Sequence, residues 1–433
     1  MGYINTIADL EAQSYGLNMA GYAGNDLLKA AGGLSGLHTP HDGAQTAPTG
    51  YLANLYNQVY GQKVWSMLNR ECNALSVISK RPYTSSGWRV LSERPAGGSS
   101  AQLSVGTSGA IGASATSADL IGGVPENQSI GSGGLQAIAP TYAQLYLSPK
   151  TVAHQFEFSE IALEMAKIDD GIGDIRAQMR EDMGKHHAEM QNKMLVMPLE
   201  FYGEPTALST LEDNYTSLYK VVTSTAEIDI ADTDNLYSEA QGDLINNIYG
   251  SNRTSASFLD ATVDYGDGYV AADVRSLTLT RLNAMIRDLR IEGGSPKVIL
   301  TGYDTIQALA DLLQAQERFM DRKEIVPTVN GVRGVKGQEV GFRVSTYYDI
   351  PLIPVKDMAS TTHSSVTGIS DMLFLDTDHL WLSVMKPTQY LEDGITNGNP
   401  FGVGRLGNTG LYRTIGEVGC SFFKGQGKIT NLQ

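Results

Sequence analysis

From Pro95 to Pro140 run 46 residues with ten Gly, many Ser, Ala and Thr, no Lys or Arg, and only Asp119 and Glu126 as acids. Structureless stretches beyond ~15 residues are uncommon inside a compact domain, and usually serve a function when they occur. On the near side, Trp88–Leu91 reads as a strand, and on the far side Tyr142–Leu147 alternates as a strand does. Two strands joined by so long a tip make a projecting hairpin. A two-stranded projection has no core, so it needs another chain to rest on. This segment therefore points to a chain whose hairpin is ordered by contact with another chain.

The rest of the composition narrows the function classes. Net charge is −15, which argues against a sequence-independent nucleic-acid binder, since that task needs a basic face. Cys72 and Cys420 are the only cysteines, too few for a disulfide framework or a cysteine-rich metal site, and they fit a reducing compartment. No run of ~18 apolar residues exists to form a membrane-spanning helix. Residues Met1–Asn5 lack the basic and apolar regions of a signal peptide. Gly2 with Thr6 fits the short myristoylation pattern, which is specified loosely enough to arise by chance.

Along the chain, residues 1–50 read as an extended arm rich in Gly, Ala and Thr. Apolar spacing predicts a helix over 51–72. Val152, His154, Phe156 and Phe158 alternate onto one face of a strand. A long helix is predicted from Ile172 to Val196, with Ile175, Met179, Met183, Met190, Met194 and Leu195 as its apolar stripe and Pro198 as its stop. Residues 200–275 read as short strands and loops. A helix over 276–290 capped by Ser276, a buried strand Lys297–Thr301, and a helix over 305–320 capped by Asp304 follow. Strands are expected at 339–356, 372–377, 379–385 and Leu411–Phe423. This order places helices on a sheet.

Each candidate for chemistry has a plainer reading. Gly402, Gly404 and Gly407 form a G-x-G-x-x-G, but a strand rather than a helix follows, so it reads as a glycine loop. His38, His41 and Asp42 read as a solvated loop rather than a metal site. His186 and His187 point ~100° apart on the long helix and read as exposed, whereas His154 reads as hydrogen-bonded and half-buried. Asp376, Asp378 and His379 fall at a turn between two apolar strands, where Asp serves the backbone. The acids Asp229, Asp232, Asp234, Asp264 and Asp267 lack calcium-loop spacing and read as a solvated face. No catalytic residue, metal site or cofactor is expected.

The order of elements resembles the major capsid proteins of tailed bacteriophages, the Hong-Kong-97-type fold. The resemblance runs from about residue 80 to 430. It is carried by Val152–Met197, by Val298–Leu313 with Thr301, Gly302, Tyr303 and Asp304 at its turn, by Tyr348–Val355, by Met372–Asp376, and by the ending Tyr412–Glu417 and Lys424–Ile429. It implies an α+β fold with an N-terminal arm and helix (1–80), an extended β-hairpin loop (81–150), a peripheral domain with a long spine helix (151–199), an axial domain (200–385, with 200–275 a candidate insertion), and a return to the peripheral domain (386–433).

The implied function is a non-enzymatic shell subunit that assembles through hexamers and pentamers into the icosahedral head of a tailed phage. Assembly would take place in the host cytoplasm, with packaged double-stranded DNA as a neighbour rather than a sequence-specific ligand. Portal, scaffolding and cement proteins are the implied partners, and no membrane is involved. The alternatives are an encapsulin-like cellular shell and an enzyme built on the acids of 227–267. The hairpin is expected to lie over a neighbour's spine helix, with Trp88, Arg89 and Arg94 at its base and Glu160, Glu164 or Glu181 opposite. A large N-terminal scaffolding segment removed on maturation is not expected. Some relatives join a hairpin Lys to a neighbour's Asn, but no Lys stands between Arg94 and Lys150 here. Assembled particles should therefore run as a single monomer band on a denaturing gel; a ladder would contradict this.

Overall fold

The structure is a computed structural model that describes residues 66–93, 103–106, 118–121, 126–127, 140–159, 175–202, 213–234, 239–269, 273–314, 346–360, 368–392 and 407–433. In chain order these form α1 (Asn73–Val77), β1 (Ser79–Pro82), β2 (Gly87–Glu93), β3 (Leu103–Gly106), β4 (Ala118–Ile121), β5 (Thr141–Tyr146) and β6 (Lys150–Ser159). Next come α2 (Ile175–Val196), α3 (Leu199–Tyr202), α4 (Leu218–Val221), α5 (Thr225–Thr233), α6 (Glu239–Asn246), β7 (Asn247–Ile248), β8 (Ser251–Asn252) and β9 (Thr262–Asp264). The chain continues with α7 (Leu279–Ile291), β10 (Val298–Thr301), α8 (Tyr303–Gln314), β11 (Thr346–Tyr347) and β12 (Ile350–Pro354), and closes with β13 (Met372–Leu375), β14 (Leu380–Glu392), β15 (Gly407–Cys420) and β16 (Gly427–Ile429). Two compact units result. The first draws its described residues from Met1–Arg70, Val152–Glu189 and Pro387–Thr414, and the second from Glu71–Thr151, Met190–Lys386 and Ile415–Gln433.

The second unit is built on a six-stranded sheet of order β11-β12-β10-β13-β16-β9. All four residues of β10 and all four of β13 are buried, which is why Val298–Leu300 and Met372–Leu375 are unbroken apolar runs rather than alternating ones. On one face, Ile299, Met372, Phe374 and Ile429 pack with Leu282, Met285, Ile286 and Leu289 of α7 and Leu309 of α8. On the other face, Leu300 is the register partner of Leu373, Leu373 of Lys428, and Lys428 of Val263. A cation thus stands in the middle of an otherwise apolar row, and the segment 200–269 supplies its partners, as described below.

β2 and β5 pair antiparallel, Trp88 opposite Leu145 and Leu91 opposite Tyr142, as the hairpin reading required. β3 and β4 pair antiparallel further out along the same loop. A four-stranded sheet has the order β1-β14-β15-β6. Within the second unit, β1 runs parallel to the start of β14. The first unit holds Val152–Ser159 of β6 with the end of β14 and the start of β15.

Several expectations shift. Of the helix expected over 51–72, residues 51–65 lie outside the described residues, and 66–72 are not helical. Met67 and Leu68 are exposed there, so these two apolar residues pack on no surface that would hold a helical end. The stretch 200–275 contains the helices α3 to α6 as well as short strands. Its spacing was masked by acids and hydroxyls that act as caps: Ser217 accepts from the Lys220 amide and Ser224 from the Glu227 amide. The cap of α7 is Thr278, which accepts from the Arg281 amide, rather than Ser276. Asp304 lies within the first turn of α8, and its Oδ2 accepts from the Ser370 amide at 2.7 Å.

Phe374 is fully buried at the centre of the sheet and its core cluster. Phe374→Ala should cost about 3–5 kcal/mol, read as a lowered urea midpoint. A loss below ~1 kcal/mol would mean that this sheet is not the core.

Candidate functional site

Chemistry-bearing side chains of the first unit converge where α2 lies on its sheet. Arg176, Arg180, Gly184 and His187 follow one another at helical spacing along the face that meets the strands. The Arg176 guanidinium sits 5.4 Å from the Phe158 ring centroid, and its Nε is 3.3 Å from Glu392 Oε1. Arg180 stacks over Tyr390 at 4.5 Å. Tyr412 donates its hydroxyl to the Arg180 carbonyl at 2.8 Å. Phe156 stacks near Tyr390 and Tyr412, with centroids 6.2 and 6.4 Å away. Two glycines permit this close approach: a Cβ at Gly184 would stand 3.3 Å from the Tyr412 hydroxyl oxygen, and one at Gly410 would stand 2.5 Å from Phe156 Cζ.

The end of this row is a chain of hydrogen bonds. His154 Nδ1 and His187 Nδ1 are 2.8 Å apart. His187 Nε2 is 2.8 Å from Thr414 Oγ1, which is 2.8 Å from Thr388 Oγ1. His154 is half-buried and hydrogen-bonded, as expected. His187 is buried at 1% exposure, against the expectation of an exposed helix position. Ile175, Met179 and Leu195 of the expected apolar stripe are buried, and the arginines, glycine and imidazole that also meet the strands carry no apolar spacing that could reveal them. Burial is the larger cause, and neighbouring imidazoles the smaller, that lower the pKa of His154 and hold that of His187 down to about 4.

The second unit buries a polar cluster. Lys428 Nζ is 2.8 Å from Glu227 Oε1 and 3.1 Å from Thr223 Oγ1, beneath the rings of Phe201 and Tyr219. Tyr269 donates to the same Glu227 oxygen at 2.6 Å, and Tyr219 donates to Asp371 Oδ2 at 3.0 Å. Burial pushes Asp371 up to about 7, against the opposing pull of Lys428 and the Tyr219 hydroxyl. Arg253, also buried, donates to the carbonyls of Thr223, Val221, Lys220 and Leu259 and ties this segment together. Lys428, Glu227, Asp371, Tyr219 and Tyr269 are at most 5% exposed, so the cluster sits in the core rather than in a cleft.

The acids singled out from sequence do not converge. Asp229, Asp232 and Asp267 are exposed. Asp234 accepts from the Tyr269 amide, and Asp264 pairs with Arg275 and Arg281. Asp376 accepts from the Asp378 amide at the predicted turn, and His379 Nδ1 is 3.0 Å from Ser421 Oγ. No group of three or more metal-ligating side chains occurs among the described residues. His38, His41, Asp42, Gly402 and Gly404 lie outside them.

Of the contact candidates, Trp88 packs edge-on against Tyr249 and Trp381 of its own unit, with centroids 5.2 and 5.3 Å away. Arg89 is exposed on the opposite face of the hairpin with Gln144, and Leu91, Tyr142 and Tyr146 share that face, 43%, 68% and 54% exposed. Glu181 is exposed and pairs with Lys185 one turn on. Arg94, Glu160 and Glu164 lie outside the described residues. The apolar stripe beside Arg89 was legible only once the register was known.

No family model and no curated protein matches the chain. Solved structures do. A chain of the cyanophage A-1(L) capsid asymmetric unit superposes with a TM-score of 0.55 at 12% identity, over 86% of this chain and 96% of that one. The capsid of the native GTA particle gives 0.47 at 10% identity over 90% and 99%, and the holo-SrpI encapsulin of Synechococcus elongatus PCC 7942 gives 0.42 at 10% identity over 87% and 92%. The chain has the fold of the cyanophage capsid chain, the Hong-Kong-97-type α+β fold.

Lys428→Met strands the carboxylates of Glu227 and Asp371 in the core and should cost about 3–5 kcal/mol. Lys428→Met with Glu227→Leu should recover most of that loss in the same denaturant titration. Equal losses for both variants would show that the cluster is solvated.

Proposed function

We propose that this chain is the major capsid protein of a tailed phage, assembling with copies of itself into the icosahedral head shell around double-stranded DNA. The observation that carries the reading is the superposition on a cyanophage capsid chain over nearly the whole of both chains. In this reading residues 1–80 are the arm, 81–150 the hairpin loop, 151–199 with 386–433 the peripheral domain, and 200–385 the axial domain. Hexamers and pentamers form through the axial domain, and the particle takes portal, scaffolding and cement proteins as partners in the host cytoplasm.

The hairpin supports the reading physically. Leu91 and Tyr142 face each other across the strand pair and are left to solvent in a single chain. Tyr is favoured at interface centres because it buries a large area with few rotamers to freeze. Arg89 beside them is placed to meet an acid of the next subunit, with Glu160, Glu164 and Glu181 the candidates. An acidic chain next to packaged DNA gains nothing from attraction to it and slides past it freely.

The test is electron microscopy of the purified chain, alone and with phage scaffold, for the full sequence and for a deletion of 97–138. Closed shells or ring-shaped capsomers from the full chain, lost in the deletion while the subunit stays soluble, are the expected result. Normal shells from the deletion would remove the hairpin's role. A dispersed monomer even with scaffold would overturn the capsid reading, and a shell that holds protein cargo in place of nucleic acid would make it an encapsulin.

A further inference from the structure

The contact between His154 and His187 has a proton count built into it. Two Nδ1 atoms 2.8 Å apart share one hydrogen: one ring donates and the other accepts. With both rings neutral the chain closes in either direction, through His187 Nε2 to Thr414 and on to Thr388. One added proton is accommodated, because a cationic His187 donates at both nitrogens. A second proton is not, because two N–H groups would then point at each other across the bond.

The surroundings offer the second charge nothing. From α2, His186 stands with its ring centroid 5.4 Å from that of His154, and Arg180 lies two turns back towards the helix start. From β6, the face of His154 carries Val152, Phe156 and Phe158, while Glu157 has the opposite parity. From β15, Tyr412 stacks on His187 at 6.0 Å, and Arg413 has the opposite parity to Thr414. From β14 come Thr388, Tyr390 and Glu392, and Glu392 is engaged by Arg176 and by the Tyr390 hydroxyl. Lys386, two residues before Thr388, is exposed. Lys185 and Glu181 pair with each other on the helix surface. The imidazoles therefore meet a third imidazole, an aromatic ring and neutral hydroxyls, and among the described residues no carboxylate pairs with either of them.

We propose that His154 and His187 form an acid-labile latch that holds α2 on the sheet of the first unit and releases it when both rings are protonated. The sign follows from burial. An imidazole whose folded pKa lies below its usual 6.5 stabilises the packed state fully above 6.5, and that contribution is lost as pH falls; for His187 the loss runs down to about 4. The latch is a property of one chain and stands whatever the assembled particle encloses.

Hydrogen exchange of the full chain, read by mass spectrometry and corrected for intrinsic rates, tests this. Peptides spanning Lys185–Met190 and Val152–Phe158 should lose protection by about tenfold or more between pH 7 and about pH 4.5. In His154→Gln with His187→Gln, whose amides bond without titrating, protection should be the same at both pH values, whereas His186→Gln, which removes only the smaller repulsion, should keep most of the acid loss. Unchanged protection in the unmodified chain, or the same acid loss in the double variant, would overturn the latch. Should the double variant not fold, exchange of the imidazole C2 hydrogens in the unmodified chain gives the midpoints directly. Midpoints below 6.5 for His154 and His187 support the latch, and midpoints at or above it refute it.

Discussion

The placement of β16 governs the second unit. A three-residue strand from the last seven residues of the chain slots between β13 and β9, antiparallel to one and parallel to the other. It brings Ile429 to the core face and Lys428 to the opposite face. Once a cation stands in the middle of a sheet, something must both bury and neutralise it, because an isolated buried ammonium is prohibitively costly. Residues 200–269 answer that need. Glu227 supplies the counter-charge, Thr223 a further acceptor, Phe201 and Tyr219 the ring faces, and Arg253 stitches the covering backbone through four carbonyls. The segment that looks like an insertion in sequence is the second layer of the core.

Apolar periodicity made much of this architecture legible. Val298–Leu300 and Met372–Leu375 are continuous apolar runs because both their faces are covered, and the alternation at Val152–Phe158 marks a strand with one covered face. The hairpin was legible from what it lacks, since a Gly- and Ser-rich stretch between two strands has no other home. Periodicity fails where polar side chains do the packing. Glu227, Arg253 and Lys428 are core residues that any hydropathy reading places at the surface. His187 is buried for the same reason, through partners on β6 and β15 that lie far away in sequence. The helix expected over 51–72 fails from the opposite side at its end, where Met67 and Leu68 have apolar spacing but nothing to pack on.

The two units use different currencies of cohesion, with different consequences. The six-stranded sheet is held by aliphatic and aromatic burial around the buried Lys428–Glu227 pair. The α2 junction is held by guanidinium–ring stacking, a hydroxyl-to-carbonyl bond, and shared protons between imidazoles. Such contacts are directional and individually modest, each on the order of 1 kcal/mol, so the junction has a defined register without a deep well.

In the capsid reading, that difference bears on what a shell subunit must do. Shells close only if identical chains take up slightly different shapes at five-fold and six-fold positions, so strain has to be absorbed somewhere in the subunit. An aliphatic core resists, because close-packed interiors transmit strain rather than yield to it. A polar junction yields, because its bonds re-form with a neighbouring partner or with water. In the capsid reading, the charged face of α2 is where geometric variation between copies would be taken up, and the sheet built around β16 would stay constant. The same logic explains why glycine stands at 410, where a Cβ would meet the Phe156 ring at 2.5 Å: the strands and the rings must touch before such weak directional contacts count at all.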